Sequence, residues 1–332
     1  MALDPAIRAQ LTLPAICAPM YRVTGPALVR EACKAGLIGG LPRQNARDFE
    51  TFAAWLREIR HDLDEHAARN PGARIGPIAV NLSRMPEDLF KMHVDVCQEA
   101  GVEIIISAMG DPTELVKRVH AFGGKVFHDV TNIRFAEKAI EAGCDGLTVI
   151  GAGGGGHSGT ISHLAFIPKV RAMFDGTIVL AGAVSTGAVI RAAEILGADL
   201  SYLGTRFIAT QESNAPQEYK ELLVSENALD VIYTRDVAGG AANWLKESLR
   251  RVGLDPDNLP KAAPEGGHKH LPEGLTPWKN IFSAGQGIEL ITDIPPVAEL
   301  VRRLRAEYVA ACEAPSMVDA ARLVDAAQEV AA

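Results

Sequence analysis

Short apolar segments alternate with amphipathic segments along the first two thirds of this chain, and this alternation strongly constrains its fold. The apolar segments have the length and composition of buried strands, and eight of them lie near residues 13–18, 37–41, 76–80, 103–107, 125–128, 146–150, 177–181 and 200–204. The amphipathic segments have helical periodicity and lie at Pro26–Ala35, Phe49–Arg69, Glu87–Ala100, Pro112–Phe122, Ile133–Ala142 and Gly187–Leu196. Because alternating strands and helices form right-handed units of a parallel sheet, this order predicts an α/β protein, a (β/α)8 TIM barrel.

The alternation ends after Arg206, where longer helical patterns begin. The clearest of these patterns cover Glu212–Asn227 and Ala241–Val252, and a further amphipathic helix at Pro296–Ala311 is predicted to return to the barrel wall. We therefore expect a barrel built from residues 1–210 and 281–315. A helical insertion after strand eight, residues 211–280, would form a substrate subdomain, and residues 316–332 would form a C-terminal tail.

Composition excludes several classes of function. The chain has 332 residues, 48% of them hydrophobic, and a net charge of −8, which argues against a nucleic-acid surface because phosphate binding requires clustered Lys and Arg. No apolar segment reaches the length of a membrane span, and Met1–Leu13 lacks the pattern of a signal peptide. The five cysteines form no Cys-x-x-Cys pair and no zinc-ligand spacing, so we expect reduced thiols, no metal and a cytoplasmic location.

A glycine-rich segment follows the sixth predicted strand. Residues Gly151–Gly159 contain six glycines in nine residues, with His157 among them. Glycine is useful where the backbone turns sharply or approaches a ligand closely. The segment therefore indicates a pocket for a flat cofactor with one acid/base group, His157; the alternative is a flexible surface loop with a chance histidine.

Small residues also follow strands seven and eight, at Gly182-Ala183 and Gly204-Thr205. In barrels of this kind, the loops after these strands commonly form a phosphate site from backbone N–H groups. We predict an anion site between the two pairs, although the same residues would also suit tight turns alone.

Several segments together resemble the nitronate monooxygenases, formerly called 2-nitropropane dioxygenases, over Leu13 to Leu304. They are APM, VNLS, GAGGGGHSG, LAGAVSTG, LGADLSYLGTRFIATQES and WKNIFSAGQGIELI. The wider group includes FMN-dependent enoyl-acyl-carrier-protein reductases and some NADH:quinone reductases. The resemblance implies FMN, with its phosphate between Gly182-Ala183 and Gly204-Thr205. It implies His157 as the catalytic histidine and places the flavin ring against Pro19, Met20, Tyr21, Asn81 and Ser83, with Gly155 close by.

Two positions depart from the family pattern. Gly153 stands where many members carry an acidic residue, and Asp129 stands where some members place a lysine after the histidine of strand five. A lysine beside a flavin would favour its anionic reduced form, so Asp129, which we also predict to contact the cofactor, should do the opposite. These departures leave the substrate open.

The favoured function is FMN-dependent oxidation of alkyl nitronates by O2 to carbonyl compounds and nitrite. His157 would deprotonate a nitroalkane as a neutral base or hold the nitro group as an imidazolium. The main alternative is an FMN-dependent NAD(P)H reductase of enoyl thioesters or quinones. A sugar-phosphate aldolase or isomerase would need a Schiff-base lysine or paired carboxylates at the strand ends, which we do not find; a non-catalytic binding protein is the remaining alternative.

Other side chains have weaker claims to function. Four histidines on predicted helices are expected at the surface: His61, His66, His93 and His120. His128 and His163 would lie near the site, and His268 and His270 would lie in a lid. Tyr21 is predicted to shape the pocket, whereas Trp244, Trp278 and Phe282 are predicted to fill the core. Trp244, the apolar face of 296–311 and the tail are also candidates for a homodimer interface.

Overall fold

The computed structural model describes residues 2–82, 85–263 and 266–315. The strands, in chain order, are β1 (Ala15–Cys17), β2 (Ile38–Pro42), β3 (Ile78–Asn81), β4 (Ile104–Ala108), β5 (Lys125–Val130), β6 (Gly146–Ile150), β7 (Gly156–His157), β8 (Thr177–Ala181), β9 (Leu200–Leu203), β10 (Val231–Thr234) and β11 (Ala242–Leu245). The helices are α1 (Pro5–Gln10), α2 (Pro26–Lys34), α3 (Phe49–Arg69), α4 (Glu87–Glu99), α5 (Thr113–Ala121), α6 (Ile133–Glu141), α7 (His163–Arg171), α8 (Gly187–Leu196), α9 (Thr205–Ile208), α10 (Gln217–Ser225), α11 (Lys246–Arg251) and α12 (Val297–Glu313).

The predicted barrel is confirmed. Strands β1 to β6, β8 and β9 pair in parallel in that order, and β9 pairs back to β1 to close the cylinder. The eight predicted strands coincide with these strands to within two residues, and the six predicted helices between them end within one residue of the observed bounds. The apolar segments could be recognised as strands because both faces of each strand are buried, one by the barrel interior and one by the helices.

Helices α1 and α7 were not predicted from the sequence. Helix α1 is short, and Asp4 caps it by accepting a hydrogen bond from the Ala6 N–H at 2.9 Å. Its Ile7 joins the cluster that fills the barrel interior, so α1 packs against the end of the barrel opposite the carboxyl ends of the strands. Helix α7 contains Pro168, which weakens the sequence signal for a helix.

The segment between β9 and α12 differs from the predicted helical insertion. It contains α10 and α11, but also β10 and β11, which pair antiparallel with each other. The helix predicted over Ala241–Val252 is wrong in its first part, because Ala242–Leu245 forms β11. Strand β11 also pairs with β7, the strand that carries His157, so a long-range contact decided its structure. The boundaries of the barrel and the insertion stay predictions.

Two of the surfaces considered for a dimer are internal. Trp244 is fully buried, and Val297, Leu300 and Leu304 on α12 belong to the main hydrophobic core. The predicted tail over 316–332 lies outside the described residues. Four of the five cysteines are buried free thiols, and Cys312 is an exposed one. Over the described ranges, no helix is both long and apolar enough to cross a membrane.

Candidate active site

The carboxyl ends of the barrel strands bring most of the predicted site residues to one end of the molecule. Pro19, Met20 and Tyr21 follow β1, Asn81 ends β3, Asp129 lies in β5, Gly155 follows β6, Gly182 and Ala183 follow β8, and Gly204 and Thr205 follow β9. Ser83 lies outside the described residues. Because the strands are parallel and the barrel is closed, these positions share one rim, the end at which such barrels carry their active sites.

The glycine segment after β6 needs its glycines for steric reasons. Gly153 and Gly156 have positive φ angles of 85° and 70°, which glycine adopts at little cost. A Cβ on Gly155 would lie 3.0 Å from the Gly285 nitrogen and 3.1 Å from Thr205 Oγ1. Neighbouring atoms therefore leave no space for a side chain at Gly155, and the segment contributes mainly backbone to the rim.

His157 lies on a strand rather than on a free loop. Gly156 and His157 form β7, opposite Asn243 and Ala242 of β11. The Asn243 side chain is buried and donates a hydrogen bond to the Gly154 carbonyl at 2.6 Å, and the Gly156 N–H donates to Ser283 Oγ at 2.6 Å. These contacts argue against the flexible-loop alternative, because the histidine is anchored from both sides.

An aromatic cluster lies on one side of His157. Its ring centroid lies 5.3 Å from that of Trp278, which lies 4.8 Å from that of Trp244 and 6.4 Å from that of Tyr21. The prediction that Trp244 and Phe282 fill the core is confirmed by their burial. Trp278 differs, because it is only partly buried and adopts a φ of 59° that strains a non-glycine residue, as residues at functional sites often do.

The imidazole of His157 favours its neutral form. Desolvation lowers its pKa below the ordinary histidine value. The residue nevertheless exposes a substantial fraction of its surface to solvent, as a side chain on the wall of a depression does, which limits the size of the effect. A neutral imidazole at neutral pH can accept a proton, which suits a general base.

Residues Ser283–Gly287, called the clamp segment below, connect the rim loops through hydrogen bonds. The Gly285 N–H donates to Thr205 Oγ1 at 2.9 Å, and the Gln286 N–H donates to the Gly153 carbonyl at 2.9 Å. Further along, Ser185 Oγ donates to the Gly287 carbonyl at 2.8 Å. The sequence alone assigned no role to this segment. Its Gly-x-Gly pattern was the feature that could have indicated a close backbone contact.

The pairs predicted to hold a phosphate lie beside this clamp segment. Gly182 has a φ of 132°, and Ala183 adopts a φ of 57°, a conformation that costs an L-residue roughly 1 kcal/mol. A Cβ on Gly204 would make only ordinary contacts, 3.6 Å from the Met20 sulfur and 3.9 Å from the Ala18 Cβ. Backbone with little side-chain cover and with local strain fits the approach of an anion, which such barrels bind after their last two strands.

Asp129 points into the barrel. Its neighbour Phe127 packs in the interior, whereas Val126 and Val130 pack against the helices, so strand alternation puts Asp129 on the inner face. Its Oδ1 atom is buried and has no hydrogen-bond partner among the described residues. Burial raises the pKa of this carboxyl to about 7, against a smaller lowering by the nearby Thr148 hydroxyl.

Four further histidines make hydrogen bonds within the described part of the protein. His93, predicted at the surface, is buried and accepts a hydrogen bond from Arg43 Nε at 2.7 Å. His128 turns away from the barrel interior, with its Nδ1 2.8 Å from Ser107 Oγ. His163 places its Nε2 2.9 Å from the Ala181 carbonyl, beneath the glycine segment, and His270 contacts the Asp236 carbonyl.

Within residues 2–82, 85–263 and 266–315, no group of three or more His, Cys, Asp or Glu side chains could hold a metal ion. The site therefore consists of a glycine segment, an anchored neutral histidine, an inward carboxyl and a strained small-residue turn. A closed parallel barrel with these features at its carboxyl rim is typical of enzymes of the barrel class.

Comparison with known proteins gives the family. A sequence model described as nitronate monooxygenase matches residues 9–307, and this chain belongs to that family of flavin-dependent oxidoreductases. A nitronate monooxygenase from Neurospora crassa is 26% identical, over 88% of this chain and 88% of its own. A Rhodococcus jostii protein named as a (3aS,4S,5R,7aS)-5-hydroxy-7a-methyl-1-oxo-octahydro-1H-indene-4-carboxyl-CoA dehydrogenase is 27% identical, over 68% of this chain and 60% of its own. The solved structure of a nitroalkane oxidase from Streptomyces ansochromogenes has a TM-score of 0.73 at 24% identity, over 92% and 99% of the two chains, and supports the fold.

Proposed function

We propose that this protein is an FMN-dependent nitronate monooxygenase that uses O2 to convert alkyl nitronates into carbonyl compounds and nitrite. The observation that carries the proposal is the placement of His157. The residue is fixed on β7 at the barrel rim, beside a segment of glycines whose backbone carries no side chains. Membership of the nitronate monooxygenase family supports the reaction class.

The residues at the rim fit FMN. The Gly182-Ala183 and Gly204-Thr205 pairs would hold its phosphate, where bare backbone and the Thr205 hydroxyl are accessible. Pro19, Met20, Tyr21, Asn81 and Gly155 would line the ring, together with Ser83. The orphaned Asp129 Oδ1 is a further buried polar atom that a ligand would satisfy. When bound, FMN supplies the redox chemistry, and the protein supplies orientation and electrostatics.

His157 would act on the substrate. As a neutral base it would remove the proton from the carbon that bears the nitro group, turning a nitroalkane into a nitronate. The imidazolium formed in this way would then face an anionic nitronate, which it would hold by charge. Trp278 and Tyr21 would cover the apolar part of the substrate and exclude water from the reacting carbon.

A second candidate is an NAD(P)H-dependent reductase of enoyl thioesters or quinones. The Rhodococcus jostii relative carries a CoA thioester substrate in its name, and Asp129 stands where some family members have lysine. The same rim would accept a nicotinamide in place of the nitronate. The cytoplasmic location and a homodimer also stay predictions.

The test is anaerobic mixing of the purified, FMN-loaded protein with propyl-2-nitronate and, separately, with NADH, while the visible spectrum is recorded. The monooxygenase proposal expects a change of the flavin spectrum with nitronate and none with NADH. Bleaching by NADH together with indifference to nitronate would contradict it and favour the reductase. Admitting O2 should then yield nitrite in proportion to the nitronate consumed.

A further inference from the structure

Asp129 occupies a position in the barrel interior that no structural role explains. It lies one inward step beyond Phe127 towards the carboxyl end of β5, and it pairs in register with Ala108 of β4 and Thr148 of β6. Phe127 fills the closed core below it. Asp129 itself is half-buried as a whole residue and lies near the rim, whereas its Oδ1 atom is buried.

One oxygen of the carboxyl, Asp129 Oδ1, is buried without a hydrogen-bond partner within the described residues. The Thr148 hydroxyl on the adjacent strand is buried as well and is close enough to lower the pKa of Asp129. A buried polar atom left unpaired costs about 1–3 kcal/mol, more when it is charged. A partner from outside the chain, or a proton, would remove this cost.

The charged and titratable groups around Asp129 do not neutralise it. Among the ion pairs of the described residues, none includes Asp129. Tyr202, from β9, shares the barrel interior, and burial raises its pKa, with smaller contributions from the charges of Asp129 and Cys17. His128 and Asp111 lie at the same end of β5 and β4 but outside the inner face, and desolvation keeps the pKa of His128 low.

We propose, resting on the flavin cofactor proposed above, that Asp129 is a proton-binding residue coupled to the redox state of that flavin. Reduction adds two electrons at the barrel rim and increases the negative charge there. The Asp129 carboxylate then takes up one proton from solvent, and it releases this proton when the electrons leave. A lysine at this position would balance the added charge permanently, whereas Asp129 balances it only in the reduced state.

Neutral pH is where this exchange would occur. With a carboxyl pKa of about 7, the oxidised protein holds Asp129 as a mixture of protonated and ionised forms. Added negative charge raises the pKa further, since like charges disfavour ionisation. Reduction is therefore accompanied by proton uptake at pH values between the Asp129 pKa of the oxidised protein and that of the reduced protein, and not far above or below them.

The experiment measures the flavin midpoint potential from about pH 5.5 to about pH 9 in the FMN-loaded wild type and in Asp129→Asn, which is neutral and nearly isosteric. The proposal expects the wild-type slope above about pH 7, between the two Asp129 pKa values, to correspond to up to one more proton per two electrons than the slope of the variant. Equal proton counts in both proteins would overturn it. Asp111→Asn is the matched control, because this exposed carboxyl already has a lowered pKa and should leave the slope unchanged.

A second variant tests the proposal without changing Asp129 itself, in case Asp129→Asn disturbs the fold. Thr148→Val removes the hydroxyl that lowers the Asp129 pKa, so the steep part of the wild-type curve should move to higher pH. An unchanged curve would overturn the proposal. If the flavin binds but Asp129→Asn changes nothing, this inference fails while the proposed function stands; a protein that binds no FMN overturns both.

Discussion

His157 combines solvent exposure with a lowered pKa, and both properties follow from its position on the wall of the depression. Surrounding protein desolvates the imidazolium, while the open side leaves the ring accessible to a substrate. A neutral nitroalkane that covers the ring would remove the remaining water and lower the pKa further. The neutral base is therefore the form that the bound state favours.

Replacing His157 by Asn should separate nitroalkane from nitronate turnover. Nitroalkanes need a base, so their kcat/KM should fall by about 10²–10⁴-fold, the usual contribution of general base catalysis. Nitronates are already deprotonated and should lose less than about 10-fold, through weaker positioning. Nitrite release with each substrate measures the difference, and His61→Asn on the exposed face of α3 is the control.

The pH profile gives the same test without a substitution. Because the pKa of His157 is lowered, the neutral base persists as the pH falls to the ordinary histidine value. The acid limb of kcat/KM for nitroalkanes should therefore lie below about pH 6.5. Equal losses for both substrates in His157→Asn, or an acid limb above that pH, would argue against a base role.

At the scale of elements, β10, β11 and β7 form a small antiparallel sheet that fixes the glycine segment. Glycine-rich backbone loses much conformational freedom when it is ordered, so it needs external contacts to hold one shape. The pairing with β11 and the Asn243 hydrogen bond supply them from more than 80 residues away in the chain.

Asn243→Ala should loosen this segment. Loss of the buried hydrogen bond leaves the Gly154 carbonyl unpaired, and we expect a decrease of about 1–3 kcal/mol in the free energy of unfolding, together with weaker FMN binding. Urea denaturation and flavin fluorescence titration measure the two effects. Tyr233→Phe removes a hydrogen bond from the same insertion to Ser158 at a more exposed site, and it should cost less than about 1 kcal/mol. Equal effects of the two variants would contradict a special role for Asn243.

At the scale of the whole molecule, the clamp segment joins the loops after β6, β8 and β9 through backbone and hydroxyl hydrogen bonds. A Cβ on Gly285 would lie 2.6 Å from the Gly153 carbonyl oxygen, and one on Gly287 would lie 2.6 Å from Ser185 Oγ. This close contact couples the proposed cofactor site to the stability of the barrel rim.

FMN should therefore stabilise the fold, and its phosphate should carry much of the effect. At a concentration of 100 times its Kd, a ligand that binds only the folded state adds about 2.7 kcal/mol. Thermal denaturation of the apoprotein with FMN and with riboflavin, which lacks the phosphate, measures the difference. Equal stabilisation by both would argue against a phosphate site at Gly182-Ala183 and Gly204-Thr205.

The sequence was sufficient for the barrel and for the positions at its rim. Each strand is short, apolar and buried on both faces, so local composition alone indicates it, and the parallel order places every strand end on one side. His157 and the two small-residue pairs could be recognised in this way, because each directly follows a strand.

Only the tertiary structure decided how these positions are held. Strand β11 replaced part of a predicted helix because its partner is the glycine segment, far away in the chain. Trp278 contacts His157, and the clamp segment contacts three rim loops, through long-range contacts whose partners the local sequence does not indicate. The unpaired state of Asp129 is likewise a property of its surroundings. Periodicity records which face of an element is buried, but not which distant element buries it.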